Sequence, residues 1–178
     1  MKEFLENNMV KLRALEPDDL DLLFSIENKS SLWEISDTQI PLSRDLLRKY
    51  LENAHQDIYQ AKQLRLVITD KKNKQILGLI DLYDFNPQHQ RAGVGILILK
   101  PFQGKGFASS TLDLFKDYAF LHLDLNQLYS NIPSHNKRSM KLFKKLNFRH
   151  IGTQKNWIKI NGAYKDVERF QLLNPNHL

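Results

Sequence analysis

The sequence predicts an α/β fold in which a mixed sheet carries helices on its faces. Three observations point there. Runs of strand-like Leu, Ile and Val alternate with stretches whose apolar residues recur every three or four positions. A short apolar run, residues 94–99, leads through a glycine-bearing loop into a helix and then a further strand, the order of a parallel crossover. Near the C-terminus, Asn161-Gly162 is the strongest two-residue hairpin signal in the chain. With 178 residues, 42% hydrophobic and 26% charged, the chain fits one domain over residues 1–178 with one packed core.

Each element has its own reason. From residue 9 to 15, Val10, Leu12 and Ala14 alternate with Lys11 and Arg13, as in a strand with one wet face. Pro17 opens a helix whose first turn holds Asp18 and Asp19, and Leu20, Leu23, Phe24 and Ile26 form its apolar stripe to about Asn28. After a polar loop, Ser43 is the N-cap of a second helix carrying Leu46, Leu47, Tyr50, Leu51 and Ala54. Residues 64–69 and 75–85, joined by the turn at 70–74, read as a hairpin. The run at 94–99, unbroken by polar side chains, fits a central strand covered on both faces. A helix over 109–122, a strand over 127–132 ended by Pro133, and a helix capped by Asn136 follow. The chain closes with strands at 149–160 and 163–173.

Composition removes several chemistries. Without cysteine there are no disulfides, thiolate metal sites or Cys nucleophiles, so any acyl transfer is direct or uses oxygen or nitrogen. No apolar run approaches the roughly 20 residues of a membrane span, and the charged first eight residues do not read as a secretory leader, so a cytoplasmic location and no membrane partner are expected. The six histidines are scattered without metal-ligand spacing, and no metal is expected. A net charge of +6 suits a polyanionic partner, either nucleic acid or a phosphorylated cofactor, and much of it lies at Lys71, Lys72 and Lys74 and at Lys137, Arg138, Lys141, Lys144 and Lys145.

The chemistry gathers at Gln103-Gly104-Lys105-Gly106-Phe107-Ala108, where backbone N–H groups and the positive end of a helix can converge on a phosphate. This is neither a Walker loop nor the three-glycine dinucleotide fingerprint. It resembles the pyrophosphate loop of the GNAT acetyltransferases, Gln/Arg-x-x-Gly-x-Gly/Ala, through Gln103, Gly106 and Ala108. A second element of that superfamily follows in order: Asn136-Lys-Arg-Ser139 opens a helix that closes with Asn147-Phe148, where Asn replaces the usual Gly. The resemblance runs from about Leu12 to Leu173, and Asp81, Arg91-Ala92 and Asn161-Gly162 with Tyr164 look like the spermidine and ribosomal-protein alanine acetyltransferase branches.

The resemblance implies a mostly antiparallel sheet with splayed central parallel strands, and acetyl-CoA as the co-substrate delivering its acetyl group to a primary amine. Cofactor contacts would then fall on Ile96, Leu97, Ile98 and Leu99, on Gln103 to Ala108, and on Asn136, Ser139 and Phe143. The oxyanion would be held by a main-chain N–H of the central strand, which offers no polar side chain of its own. An arriving alkylammonium must lose a proton, which makes Asp81 the candidate proton acceptor, with Glu34 and Asp84 as further carboxylates for the acceptor amine. Asp81 also has a purely structural reading, as an ion pair with Arg91. Relatives place a Tyr one turn after the Asn-x-x-Ser element to protonate the departing thiolate; here that residue is Phe143, leaving Ser139 or a water. Two non-enzymatic alternatives stand beside this reading, a CoA-binding sensor without turnover and a basic nucleic-acid-binding module; the second lacks any nucleic-acid-binding signature. A homodimer is left open, as are the acceptor amine's identity and the retention of catalysis.

Overall fold

In a computed structural model, residues 4–33, 40–54 and 56–177 are described. Among these residues seven strands form one sheet: β1 (Val10–Ala14), β2 (Leu64–Asp70), β3 (Ile76–Asn86), β4 (Arg91–Ile98), β5 (Gln127–Pro133), β6 (Arg149–Ile160) and β7 (Ala163–Leu173). Their order across the sheet is β1-β2-β3-β4-β5-β7-β6. Every neighbouring pair is antiparallel except β4 and β5, which are parallel, as the crossover order predicts.

Helices cover both faces. On one, α1 (Leu20–Glu27) and α2 (Arg44–Glu52) bury Leu23, Ile26, Leu47 and Leu51 against Val67 of β2 and Leu79 of β3. On the other, α4 (Phe107–Asp117) and α5 (Lys137–Lys145) bury Leu112, Phe115 and Phe143 against Ile80, Val94 and Leu128. Each such side chain removed from water contributes roughly 2 kcal/mol, so both helical layers are held by apolar burial.

Local signals are realised where a single residue decides. Ser43 accepts the N–H of Leu46 (3.1 Å) and Asn136 that of Ser139 (3.1 Å), each capping its helix. Asn147 adopts φ +69° at the end of α5, and Asn161 and Gly162 adopt φ +48° and +81° at the β6–β7 turn. Where pairing or tertiary contact decides, boundaries move. Partners on β3 and β5 carry β4 back to Arg91, three residues before the apolar run. The helix expected from 109 starts at Phe107, and its last turn, Tyr118–His122, is π-wound. A one-turn helix, α3 (Ile58–Ala61), is too short to show a period; Asp57 caps it by accepting from Tyr59 N (2.8 Å) and Gln60 N (3.0 Å).

Candidate active site

The parallel pair is where the sheet opens. β4 and β5 pair only through Arg91–Gln127, Ala92–Leu128 and Gly93–Tyr129, although β4 continues to Ile98 and β5 to Pro133. Beyond Gly93 the strands have parted, and a cavity of about 840 Å³ runs through the gap. Its walls come from β2 to β7 and from α1, α2 and α5. The ladder to β3 fixes which β4 amides face this gap. Leu99 N–H donates to Leu77 C=O (2.8 Å), and alternation along an antiparallel ladder turns Leu97 the same way. The N–H groups of Ile96 and Ile98 therefore point into the opening. Of the four positions expected to meet the cofactor arm, these two present main-chain donors; Leu97 and Leu99 pack their side chains with the α1–α2 core, Leu97 also lining the cavity.

At the far end of β4 the chain turns through the glycine loop into α4. Gly104 (φ +79°) and Gly106 (φ +86°) both occupy the left-handed region, where a side chain is strained, and Gly106 is the N-cap of α4. The first-turn N–H groups of a helix have no partners within it, so those at Phe107 and Ala108 remain available to an anion. Both side chains of that pair pack toward the core, and Gly104, Lys105 and Gly106 are exposed. Gln103, exposed itself, braces the loop: its Nε2 donates to Ile98 C=O (2.8 Å), and its Oε1 accepts from Arg138 of α5 (2.6 Å). Arg138 thereby stands against Gly104, bringing a cation to the loop alongside Lys105. Lys137, Lys141, Lys144 and Lys145 are exposed along the same helix.

Asn136, Ser139 and Phe143 all line the cavity from α5. Asn136 spends its Oδ1 on the helix cap, which leaves its amide N–H groups for the cavity. Ser139 is half-buried beside it. Phe143 is buried in the core and meets Phe148 edge-on at 4.9 Å.

The opposite wall is polar and charged. Arg65 of β2 faces Asp81 of β3 directly across the ladder and grips its carboxylate with Nε (2.6 Å) and Nη2 (3.2 Å). Its remaining Nη1 donates to Glu27 of α1 at 2.7 Å. Two carboxylates thus share one guanidinium, and the group keeps a formal charge of −1. Burial would depress the guanidinium, but Asp81 and Glu27 more than offset it and hold its pKa above the ordinary value. Tyr50 of α2 lines the same wall, and burial pushes its hydroxyl up, keeping it a neutral donor.

The structural alternative for Asp81 changes partner. Arg91 lies at the far end of the hairpin, beside Asn86 and Gln127, so the ion pair is made by Arg65. Asp84 is not brought to this cavity. A bulge after Tyr83 gives it φ +49°, and its carboxylate accepts from Tyr129 (3.0 Å) outside the cavity wall. Glu34 lies outside the described residues. Reading along the chain missed Glu27, Tyr50, Arg65 and Tyr83; all four look like ordinary helix or strand positions until the fold brings them to one cavity. Among the described residues no cluster of His, Cys, Asp or Glu could hold a metal, and no helix is long and apolar enough to cross a membrane.

Comparison with known proteins adds to this geometry. The family model described as an acetyltransferase (GNAT) domain matches residues 10–149. The chain is 31% identical over 172 residues to the spermidine N(1)-acetyltransferase of Vibrio cholerae, covering 97% of each. It is also 31% identical over 174 residues to that of Escherichia coli K12, covering 95% of this chain and 88% of the relative. The crystal structure of the Vibrio cholerae spermidine N-acetyltransferase with CoA and spermine superposes with a TM-score of 0.84 at 31% identity, covering 94% and 97% of the two chains.

Proposed function

This chain belongs to the GNAT acetyltransferase family, an enzyme moving an acetyl group from acetyl-CoA to an amine, and we propose that its acceptor is an aliphatic polyamine of the spermidine class. The observation that carries the proposal is the Glu27–Arg65–Asp81 group. Its residual negative charge lines the same cavity as the open edge of β4. A polyamine arrives as a chain of ammonium groups, so a net-negative wall favours it over a neutral amine.

In this reading the pyrophosphate rests on the amides of residues 104–108, with Lys105 and Arg138 nearby. The pantetheine arm follows β4 beside Asn136, and the N–H of Ile96, the donor nearer the apex, polarises the thioester carbonyl. Asp81 keeps lone pairs beyond those given to Arg65. It acts first as counter-ion to the ammonium and then, through water, as the outlet for the proton lost before attack. The amine nitrogen bonds to the carbonyl carbon, the carbon–sulfur bond breaks, and the acetyl group passes directly, with no cysteine in the chain to carry it.

Thiol release from acetyl-CoA, followed with spermidine, a neutral-side-chain peptide N-terminus and a monoamine, tests this. The expected result is a kcat/KM for spermidine at least tenfold above the others. Preference for the peptide would move the acceptor to a protein N-terminus, and a CoA-binding protein without turnover on any amine would return the sensor reading.

A further inference from the structure

The reaction leaves one proton unassigned. When the carbon–sulfur bond breaks, sulfur takes the electron pair and needs a hydrogen, and Phe143 has none to give. The cavity wall carries the hydroxyls of Tyr50, Tyr83, Ser130 and Ser139; Tyr50 stands on the charged wall and Ser130 beside Tyr83, so the comparison falls between Ser139 on α5 and Tyr83 on β3.

Tyr83 stands at the point where the sheet divides. Its ring lies against the backbone of Gly93, so closely that a Cβ there would fall 2.1 Å from the ring. It reaches as far as Gly95, whose Cβ would lie 3.9 Å from the ring's opposite edge. Gly93 is the last β4 residue paired with β5, so the ring covers the apex of the opening. Its hydroxyl faces β5, where the Asn131 backbone and the Ser130 side chain both favour the ionised form without outweighing burial. Asn131 lies two residues past Tyr129, the last β5 residue paired with β4, so Tyr83 occupies the place where the parallel ladder would have continued. Edge-on packing against Tyr129 at 5.8 Å fixes the ring. On β3, Tyr83 lies two residues from Asp81 and so on the same face, between the amine-holding wall and the gap.

We propose that Tyr83 protonates the departing thiolate of CoA. An arm entering between β4 and β5 from the glycine loop ends at their apex, which is where the Tyr83 hydroxyl sits. A phenol, with an ordinary pKa near 10, lies closer to a thiol near 8.5 than an aliphatic hydroxyl does, so proton transfer to sulfur is easier from Tyr83 than from Ser139. The proton balance closes. Tyr83 gives its hydrogen to sulfur, the attacking nitrogen releases one to water, and the phenolate recovers one from that water. Burial pushes the Tyr83 hydroxyl up, so it is restored to the protonated form at neutral pH.

This assignment rests on the acetyl-transfer reading, and one set of measurements separates the two. Tyr83→Phe keeps the ring over Gly93 and removes only the hydroxyl. With acetyl-CoA and the best amine substrate, the variant should lose about 100-fold in kcat, the scale of a lost general acid, with KM for acetyl-CoA and calorimetric Kd for CoA within twofold of the parent. Ser139→Ala should cost less in kcat than Tyr83→Phe. A Tyr83→Phe kcat within threefold of an active parent overturns the Tyr83 assignment alone. So does a larger kcat loss from Ser139→Ala, or a Tyr83→Phe loss matched by an equal rise in Kd for CoA, which would mark a positioning role. A folded parent that turns over no amine overturns the acetyl-transfer reading and this assignment together.

Discussion

The two halves of the cleft are made of different material. Toward α4 the wall is main chain: the open edge of β4, two glycines with positive φ and the uncapped first turn of a helix. Toward α1 and α2 it is side chain, with Glu27, Arg65 and Asp81 drawn from a helix and two strands. The main-chain half depends on backbone shape and tolerates changes of side chain except at its glycines. The side-chain half depends on each charge having its partner, so single substitutions reach both its stability and its ligand.

The largest effect should come from removing the hub of the charged half. Arg65→Ala leaves Glu27 and Asp81 facing each other without their cation, which should cost about 3 kcal/mol of stability, the lower end for an ion pair broken in a partly solvated interior. Urea unfolding measures this; a loss under 1 kcal/mol would mean that the two carboxylates find other partners. On the main-chain half, Gly106→Glu puts a carboxylate and a strained φ where the pyrophosphate is expected, and calorimetry should show CoA affinity reduced about 100-fold or more. Gly106→Ala separates the contributions: it keeps the strain, costing roughly 1–2 kcal/mol of stability, without the charge. Affinity lost equally in both variants would assign the effect to backbone geometry alone.

Smaller effects sharpen the contrast. Arg138→Ala should weaken CoA about threefold and the deficit should shrink in high salt, since an exposed charge at the loop acts through solvent. A salt-independent loss would instead implicate the Gln103 brace. Asp19, at the start of α1, is the acid-sensitive member of the scaffold. Burial alone would raise its pKa, but the hydrogen bonds from Arg13 (2.8 and 2.9 Å) and Glu16 N–H outweigh that and hold it below the usual carboxylate range. A depressed folded-state pKa contributes stability that is present above the unfolded value near 4 and is lost as pH falls through the lower folded value. Melting temperature followed from pH 6 to pH 2 should therefore fall more steeply in the parent than in Asp19→Asn.

The same contrast explains how much the sequence disclosed. The main-chain half was legible because backbone geometry leaves a local trace: Gly104 and Gly106 supply positive φ, Asn136 caps, Asn147 ends a helix, and their spacing survives in one dimension. The sheet and the β4–β5 crossover followed from element order for a similar reason. The side-chain half leaves none. Arg65 and Asp81 become partners only through the β2–β3 register, and Glu27 joins them from 38 residues away. Asp81 could be named as a carboxylate in need of a partner, but Arg91 is no closer to it in the fold than a whole strand end allows. Asp84 was misdirected by a bulge that no local pattern announces. Tyr83 reads as one more strand aromatic until Gly93 and the parting of β5 give it a place.

Two-substrate kinetics of Asp81→Asn test the division of labour most directly. The substitution keeps the shape of the carboxylate and removes its charge, on the half assigned to the amine. The predicted result is a kcat/KM for spermidine lowered about tenfold or more, with KM for acetyl-CoA unchanged. A parallel decline for both substrates, accompanied by a lower melting temperature, would contradict it and reduce Asp81 to the structural partner of Arg65.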